Sequence, residues 1–323
     1  MLESFLVAAV VSFIGIRWFL TLTGFPKVGG GELHIAHMLW GGALMLGAII
    51  LLLAYLDRPV QHIAAIVAGL GFGTFVDEIG KFVTADNDYF FRPAVALIYV
   101  IFVVVFLVAR AVEGRRHLTE REALANALDR LQGTLGGSLE PEDRARIDDL
   151  LDQVGPTWTL APDLRRYLAG VPSRPDGEAW WEVAPRWLAR TYERVAGDPR
   201  FEQIVTSAVI VYAAAAIVGS LLVITVNRPD ASEPVTVAAL GQVLSTLAGA
   251  ALVARGVLAL PSSRVDAYRW FLRGVLVWIL ITQVFVFYDS QLAGLGGLVL
   301  DLGAYATLRY ALRREMATAA APP

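Results

Sequence analysis

The chain has no cysteine, and only 18% of its residues are charged. The first absence excludes disulfides, thiolate metal ligands and cysteine nucleophiles, without identifying a compartment. The second sets the sequence apart from soluble domains, which run near a quarter charged. A strong charge of one sign is missing too. The net charge of −3 and the lack of a basic run give no footing for nucleic acid as a partner. The start, Met1-Leu2-Glu3-Ser4, has no basic n-region, and its apolar run continues through Trp18 to Leu22 without a small-x-small site. It reads as a retained spanning helix rather than a cleaved signal.

What is present is apolar. Hydrophobic residues make up 56% of the 323, and a membrane span needs about 20 of them at a rise of about 1.5 Å each. Eight stretches qualify, at roughly 4–22, 34–55, 60–82, 93–112, 204–226, 235–256, 268–287 and 291–312. Pro26, Gly29-Gly30-Gly31, Pro59, Pro93, Pro229, Pro234 and Pro261 punctuate them. The expected fold is an all-α polytopic transmembrane bundle: a first four-helix block at 1–112, a helical insert at 113–203, a second four-helix block at 204–315 and a disordered tail at 316–323. Arg58, Arg110, Arg115, Arg116, Arg255, Arg264, Arg269, Arg273, Arg309, Arg313 and Arg314 fall at alternate helix ends. The opposite ends hold only Lys27, Lys81, Arg92 and Arg228, with Arg17 inside the first helix. This bias puts both termini and the insert on the cytoplasmic side of the expected membrane.

The insert holds 13 Arg, 17 Asp or Glu and no Lys. Thr119 with Glu122, and Ser138 ahead of Glu140-Pro141-Glu142, read as helix starts. Leu124, Leu128 and Leu131 recur at helical spacing, as do Ile147, Leu150, Leu151 and Val154, and a third helix is expected from Glu178 to Val195. No phosphate loop, metal-ligand pattern or nucleophile elbow is present, so a small helical domain with a cytoplasmic protein partner is the plain reading.

Chemistry concentrates in His34-Ile35-Ala36-His37 and Asp77-Glu78-Ile79-Gly80-Lys81. An antiparallel hairpin turning at Asp57-Arg58-Pro59 brings them to one depth, near the outer mouth of the bilayer. Ionisable groups within a membrane are costly and mostly functional. His34 and His37 share a helix face, and with Asp77 and Glu78 they make a mixed set suited to zinc, iron or manganese. In that reading one of Asp77 and Glu78 completes the ligand set with the histidines, and the other is the catalytic base acting on metal-bound water or a group that orients the ligands from outside. Gly69, Gly73, Asp77 and Gly80 line one stripe, which lets a neighbouring backbone approach. Arg17 lies in the same outer half, placed to neutralise a carboxylate or hold an anion. Lys81 follows Asp77 by four and Glu78 by three, so an internal ion pair can absorb one acid. Asp301 stands alone near mid-membrane, facing the interior, with Gln242, Gln283 and Tyr305 as candidate partners.

The stretch from His34 to about Arg110 resembles a family of uncharacterised bacterial polytopic membrane proteins with no known activity. The residues that carry the likeness are His34, Ile35, His37 and Gly41, then Gly69-Leu70-Gly71-Phe72-Gly73 leading to Asp77-Glu78, and Asp77 to Lys81 followed by Asp86-Asn87-Asp88-Tyr89-Phe90-Phe91. The resemblance implies membrane residence and marks these positions. Three functions stay open: a metal-dependent membrane enzyme acting on a lipid-like or small-molecule substrate at the outer leaflet, a transporter or ion-coupled carrier using Asp301 and Arg17, and a membrane scaffold whose insert recruits a partner.

Overall fold

The computed structural model describes residues 1–24, 37–83, 91, 93–114, 118–131, 139, 141–155, 158–172, 199–225 and 237–320. Their regular structure is helical. The helices are α1 (Leu2–Thr23), α2 (His37–Ala54), α3 (Arg58–Asp77), α4 (Ile79–Val83), α5 (Pro93–Gly114), α6 (Glu120–Leu131), α7 (Pro141–Asp152), α8 (Leu160–Gly170), α9 (Pro199–Thr225), α10 (Val237–Ala259), α11 (Arg264–Val277), α12 (Gln283–Ser290) and α13 (Leu295–Ala320). A π-helical turn, Trp278–Thr282, joins α11 to α12, and a 3₁₀ turn, Gln291–Gly294, joins α12 to α13.

Among the described residues six stretches are long and apolar enough to cross a membrane: Leu2–Thr23, His37–Ala54, Arg58–Asp77, Pro93–Val112, Val237–Ala259 and the continuous run Arg264–Ala317. Two of the eight expected spans lie within that last run of 54 residues. The expected span at 204–226 falls in α9, whose apolar described part is the shorter Gln203–Val218. Large side chains such as Leu53, Leu56 and Leu258 point outward at about 80% exposure, the inverse of a soluble protein and the arrangement expected of a surface wetted by lipid.

The chain divides into two compact units, Met1–Asp77 with Val105–Pro185, and Glu78–Val104 with Arg186–Pro323. In the first, α3 packs against both α1 and α2, and glycine explains how closely. A Cβ on Gly69 would sit 2.3 Å from the Phe5 carbonyl oxygen, and one on Gly73 2.2 Å from that of Ala9. On the adjoining face Gly41 of α2 meets Gly71 of α3, where a Cβ on either lands 2.6–2.7 Å from the other's carbonyl oxygen. Apolar burial gives little reason for helices to associate in lipid, so backbone-to-backbone packing and interhelical hydrogen bonds take over. Ser12 Oγ of α1 donates to the Leu70 carbonyl at 2.8 Å and lies 3.0 Å from Thr74 Oγ1. His62 Nε2, on α3, lies 3.2 Å from Ser4 Oγ.

The same unit holds α6, α7 and α8, packed around Leu124, Ala127, Leu131, Leu139, Ile147, Leu151, Ala161 and Leu168. The reciprocal cap at Thr119 is formed: Thr119 N and Oγ1 donate to Glu122 Oε2 at 2.9 Å, and Glu122 N donates back to Thr119 Oγ1 at 3.3 Å. Leu128 departs from the expected stripe and is exposed. The helix expected from Glu178 to Val195 lies outside the described residues. Arg58, at the α2–α3 turn, donates from Nε and Nη2 to Asp129 Oδ2 at 2.9 and 2.6 Å, tying α6 to α3.

The second unit centres on α9, α10, α11 and α13 around Trp278, Phe271, Val253, Val275 and Leu308. Gly249 accepts the Trp278 indole and Gly256 the Phe271 ring, each where a Cβ would come within 2.6 Å. A π turn leaves a carbonyl without its usual N–H; the Tyr99 hydroxyl donates to the Ile279 carbonyl within this turn.

Placing a Cβ where helices touch forces them apart. Gly73→Ala should destabilise the protein by about 1–3 kcal/mol, whereas Gly47→Ala, with open space around it, should leave thermal unfolding in detergent unchanged. Equal melting of the two variants would refute close backbone contact at Gly73.

Candidate functional site

Asp77 is the last residue of α3 and is fully buried. An ionised carboxylate there needs compensation, and two helices deliver it. Arg17 of α1, 9% exposed at its side chain, donates from Nε to Asp77 Oδ1 at 2.7 Å. Its Nη2 donates to the Asp77 backbone carbonyl at 3.0 Å, capping one of the carbonyls that a helix end leaves without a partner. The Arg17 guanidinium also lies 5.9 Å from the Phe13 ring centre. His37, the first residue of α2, sets its Nε2 3.0 Å from Asp77 Oδ2. Since an ionised carboxylate only accepts, the imidazole donates from Nε2. Asp77 thus holds α1 and α2 against the end of α3 through its two oxygens.

Local sequence explains the convergence. The Asp57-Arg58-Pro59 turn folds α2 back along α3 with Gly41 packed on Gly71, and farther out, four residues on along α2 and six along α3, His37 meets Asp77. Gly69 and Gly73 draw α1 in, and the next residue on that four-residue row is Asp77 itself. The glycine stripe and the acid are one device.

Glu78 begins the second unit and is also fully buried. Lys81 Nζ, in α4, donates to its Oε1 at 2.6 Å, an i,i+3 pair reaching back to the turn ahead of that helix. Each of the two neighbouring carboxylates thus accepts from a cation of its own unit, Asp77 from Arg17 and Glu78 from Lys81. His34 lies outside the described residues, as does the loop with Asp86 and Asp88. Among the described residues no three His, Asp or Glu side chains cluster as metal ligands.

Asp301, on α13, is half-buried and interacts electrostatically with the phenols of Tyr99 and Tyr212. Gln283, a candidate partner for it, instead donates from Nε2 to the Gly294 carbonyl at 2.8 Å. Sequence reasoning missed both tyrosines. Tyr99 is 202 residues from Asp301 in the chain, and only the packing of α5 beside the π turn, with the Tyr99 and Phe287 ring centres 4.9 Å apart, brings it there.

No protein-family model, curated protein or solved structure matches the chain. The geometry therefore carries the functional argument alone.

Removing one member of a buried ion pair strands the other charge. Arg17→Gln should cost about 3–5 kcal/mol of stability. Replacing both partners, Arg17→Met with Asp77→Leu, should recover most of that loss. What remains would report the Asp77 carbonyl that Arg17 no longer caps. Thermal unfolding in detergent measures all three; a double variant no more stable than the single would exclude a stranded charge as the cause.

Proposed function

We propose that this chain is a metal-binding integral membrane protein of the plasma membrane, with eight spans and with His37 and Asp77 as ligands. The observation that carries the reading is the 3.0 Å separation of His37 Nε2 and Asp77 Oδ2, contributed by different helices. Two ligands of one ion, at bonds of about 2.1 Å, stand about 3.0–3.4 Å apart. The pair therefore needs only to exchange its shared proton for a cation. His34, three residues before His37, is the third ligand, and zinc, iron or manganese suits the mixed imidazole and carboxylate set. Arg17, on the far oxygen of Asp77, fixes the carboxylate from the outer shell. A bound ion there would activate water for hydrolysis of a lipid-like substrate entering from the outer leaflet.

Eight spans follow if α9 crosses and the 54-residue run divides at its 3₁₀ turn. The orientation rests on arginine. The end formed by the α10–α11 turn and the late part of α13, tied by Arg264 to Glu315 at 2.8 Å, is rich in it, which favours the cytoplasmic side.

A second reading, an ion-coupled carrier, is favoured by a different observation. The long C-terminal helical run is interrupted by a π turn and by Gln291 in the positive-φ region (φ 48°), and Asp301 lies within that run. Interrupted helices with a mid-span acid are a recurring arrangement in carriers.

Metal content by mass spectrometry on the detergent-purified protein separates the two. Near-stoichiometric zinc, iron or manganese that is lost in His37→Ala supports the first reading. No metal after supplementation, with the protein folded, rules it out. Uptake abolished by Asp301→Asn with metal unaffected would put the second in its place.

A further inference from the structure

The arginine-rich end of the second unit contains a pairing that the metal reading does not use. Trp270, on α11, has the Arg255 guanidinium carbon 4.5 Å from its ring centre and that of Arg273 at 4.4 Å. The two come from different helices, α10 and α11, and lie within about 9 Å of each other, since both stack on one ring. Like charges that close repel, and a carboxylate between them is the usual remedy. None is there. On α10, α11 and α13 the carboxylates at this end are Asp266 and Glu315. Arg269 holds Asp266 at 3.1 Å and Arg264 holds Glu315 at 2.8 Å. Among the described residues Arg255 and Arg273 have the Trp270 ring and no anion. Between positions 255 and 315 this end carries seven arginines against those two acids.

Their setting points to the anion. Leu258, three residues after Arg255 on α10, is 81% exposed, and Ile281, on the same row of the helix run as Arg273, is 48% exposed. Both arginines are themselves exposed, so the guanidiniums emerge beside an apolar face rather than in a closed polar cleft. Trp270 between them is half-buried, as an interfacial indole should be. A stacked guanidinium keeps its planar edge of N–H donors available, and that edge matches a phosphate in bidentate fashion. We infer that Arg255, Trp270 and Arg273 form a binding site for the phosphate of an anionic phospholipid, whose acyl chains lie along the apolar face of α10 and α11. Basic clusters at the cytoplasmic membrane surface select anionic lipids in this way.

The inference rests on membrane residence but not on the metal site. Detergent-purified protein is titrated with phosphatidylglycerol, phosphatidylcholine and inorganic phosphate, and bound lipid is counted by native mass spectrometry. At least tenfold tighter binding of phosphatidylglycerol than of phosphatidylcholine is expected, falling to the phosphatidylcholine level in Arg255→Gln/Arg273→Gln. The charge-conserving variant Arg255→Lys/Arg273→Lys, which keeps the positions charged but loses the planar fork, should bind with intermediate affinity and covers the case of a poorly folded glutamine variant. Equal binding of the two lipids, or undiminished selectivity in both variants, overturns the site. Inorganic phosphate competing as tightly as the lipid overturns the lipid assignment. Protein that leaves the membrane on carbonate extraction contradicts the span reading itself, a failure distinct from either.

Discussion

The first unit depends on the burial of Asp77. An anion at the end of a helix, out of contact with water, survives only if cations and donors reach it. Arg17 and His37 reach it only because α1 and α2 approach α3 at backbone distance. The dependence also runs the other way. Close helix packing in lipid has little hydrophobic drive behind it, and a charged lock between three helices supplies a directional one. Small residues and the ion pair therefore act as one unit of structure, and neither accounts for the fold without the other.

The second unit solves a different problem with different means. Its helices are seated by large rings against glycine, Trp278 on Gly249 and Phe271 on Gly256, and its polar links are spread out. Thr282 Oγ1 donates to Ser245 Oγ at 2.9 Å, Trp278 Nε1 to the Thr246 carbonyl at 3.2 Å, and Gln283 to the Gly294 carbonyl. Among the described residues Asp301 has no cation partner and interacts instead with the phenols of Tyr99 and Tyr212. The described acids are thus held differently: Asp77 is locked by arginine, Glu78 is paired with Lys81, and Asp301 interacts with phenols.

Much of this was legible in the sequence, and the reasons are physical. Apolar runs announce helices because a chain in lipid must satisfy its backbone internally. Counting outward from Asp57-Arg58-Pro59 sets His37 level with Glu78; the structure has it on Asp77, one residue earlier. Arg17 as a neutralising cation, and Lys81 taking one acid of the pair, could also be read from position and spacing. The Thr119 cap was local and therefore visible. What could not be read was long-range or without a side-chain code. Tyr99 beside Asp301 depends on tertiary packing, and no residue pattern marks a π turn; α8, by contrast, does carry an amphipathic repeat, with Ala161 and Leu168 on its buried face, and was legible without being among the expected helices.

That π turn has a geometric effect on everything after it. Hydrogen bonding at i+5 spends one more residue per turn than an α-helix. Residues beyond Thr282 are therefore rotated by about 100° relative to an uninterrupted helix. Gln283 and Phe287 are buried while Ile281 is exposed, a pairing set by that rotation. The turn works as a phase shifter: Phe271 and Trp278 up to it, and Phe285 after it, seat on glycines of α10, while the half beyond it also turns Phe287 against Tyr99 of α5.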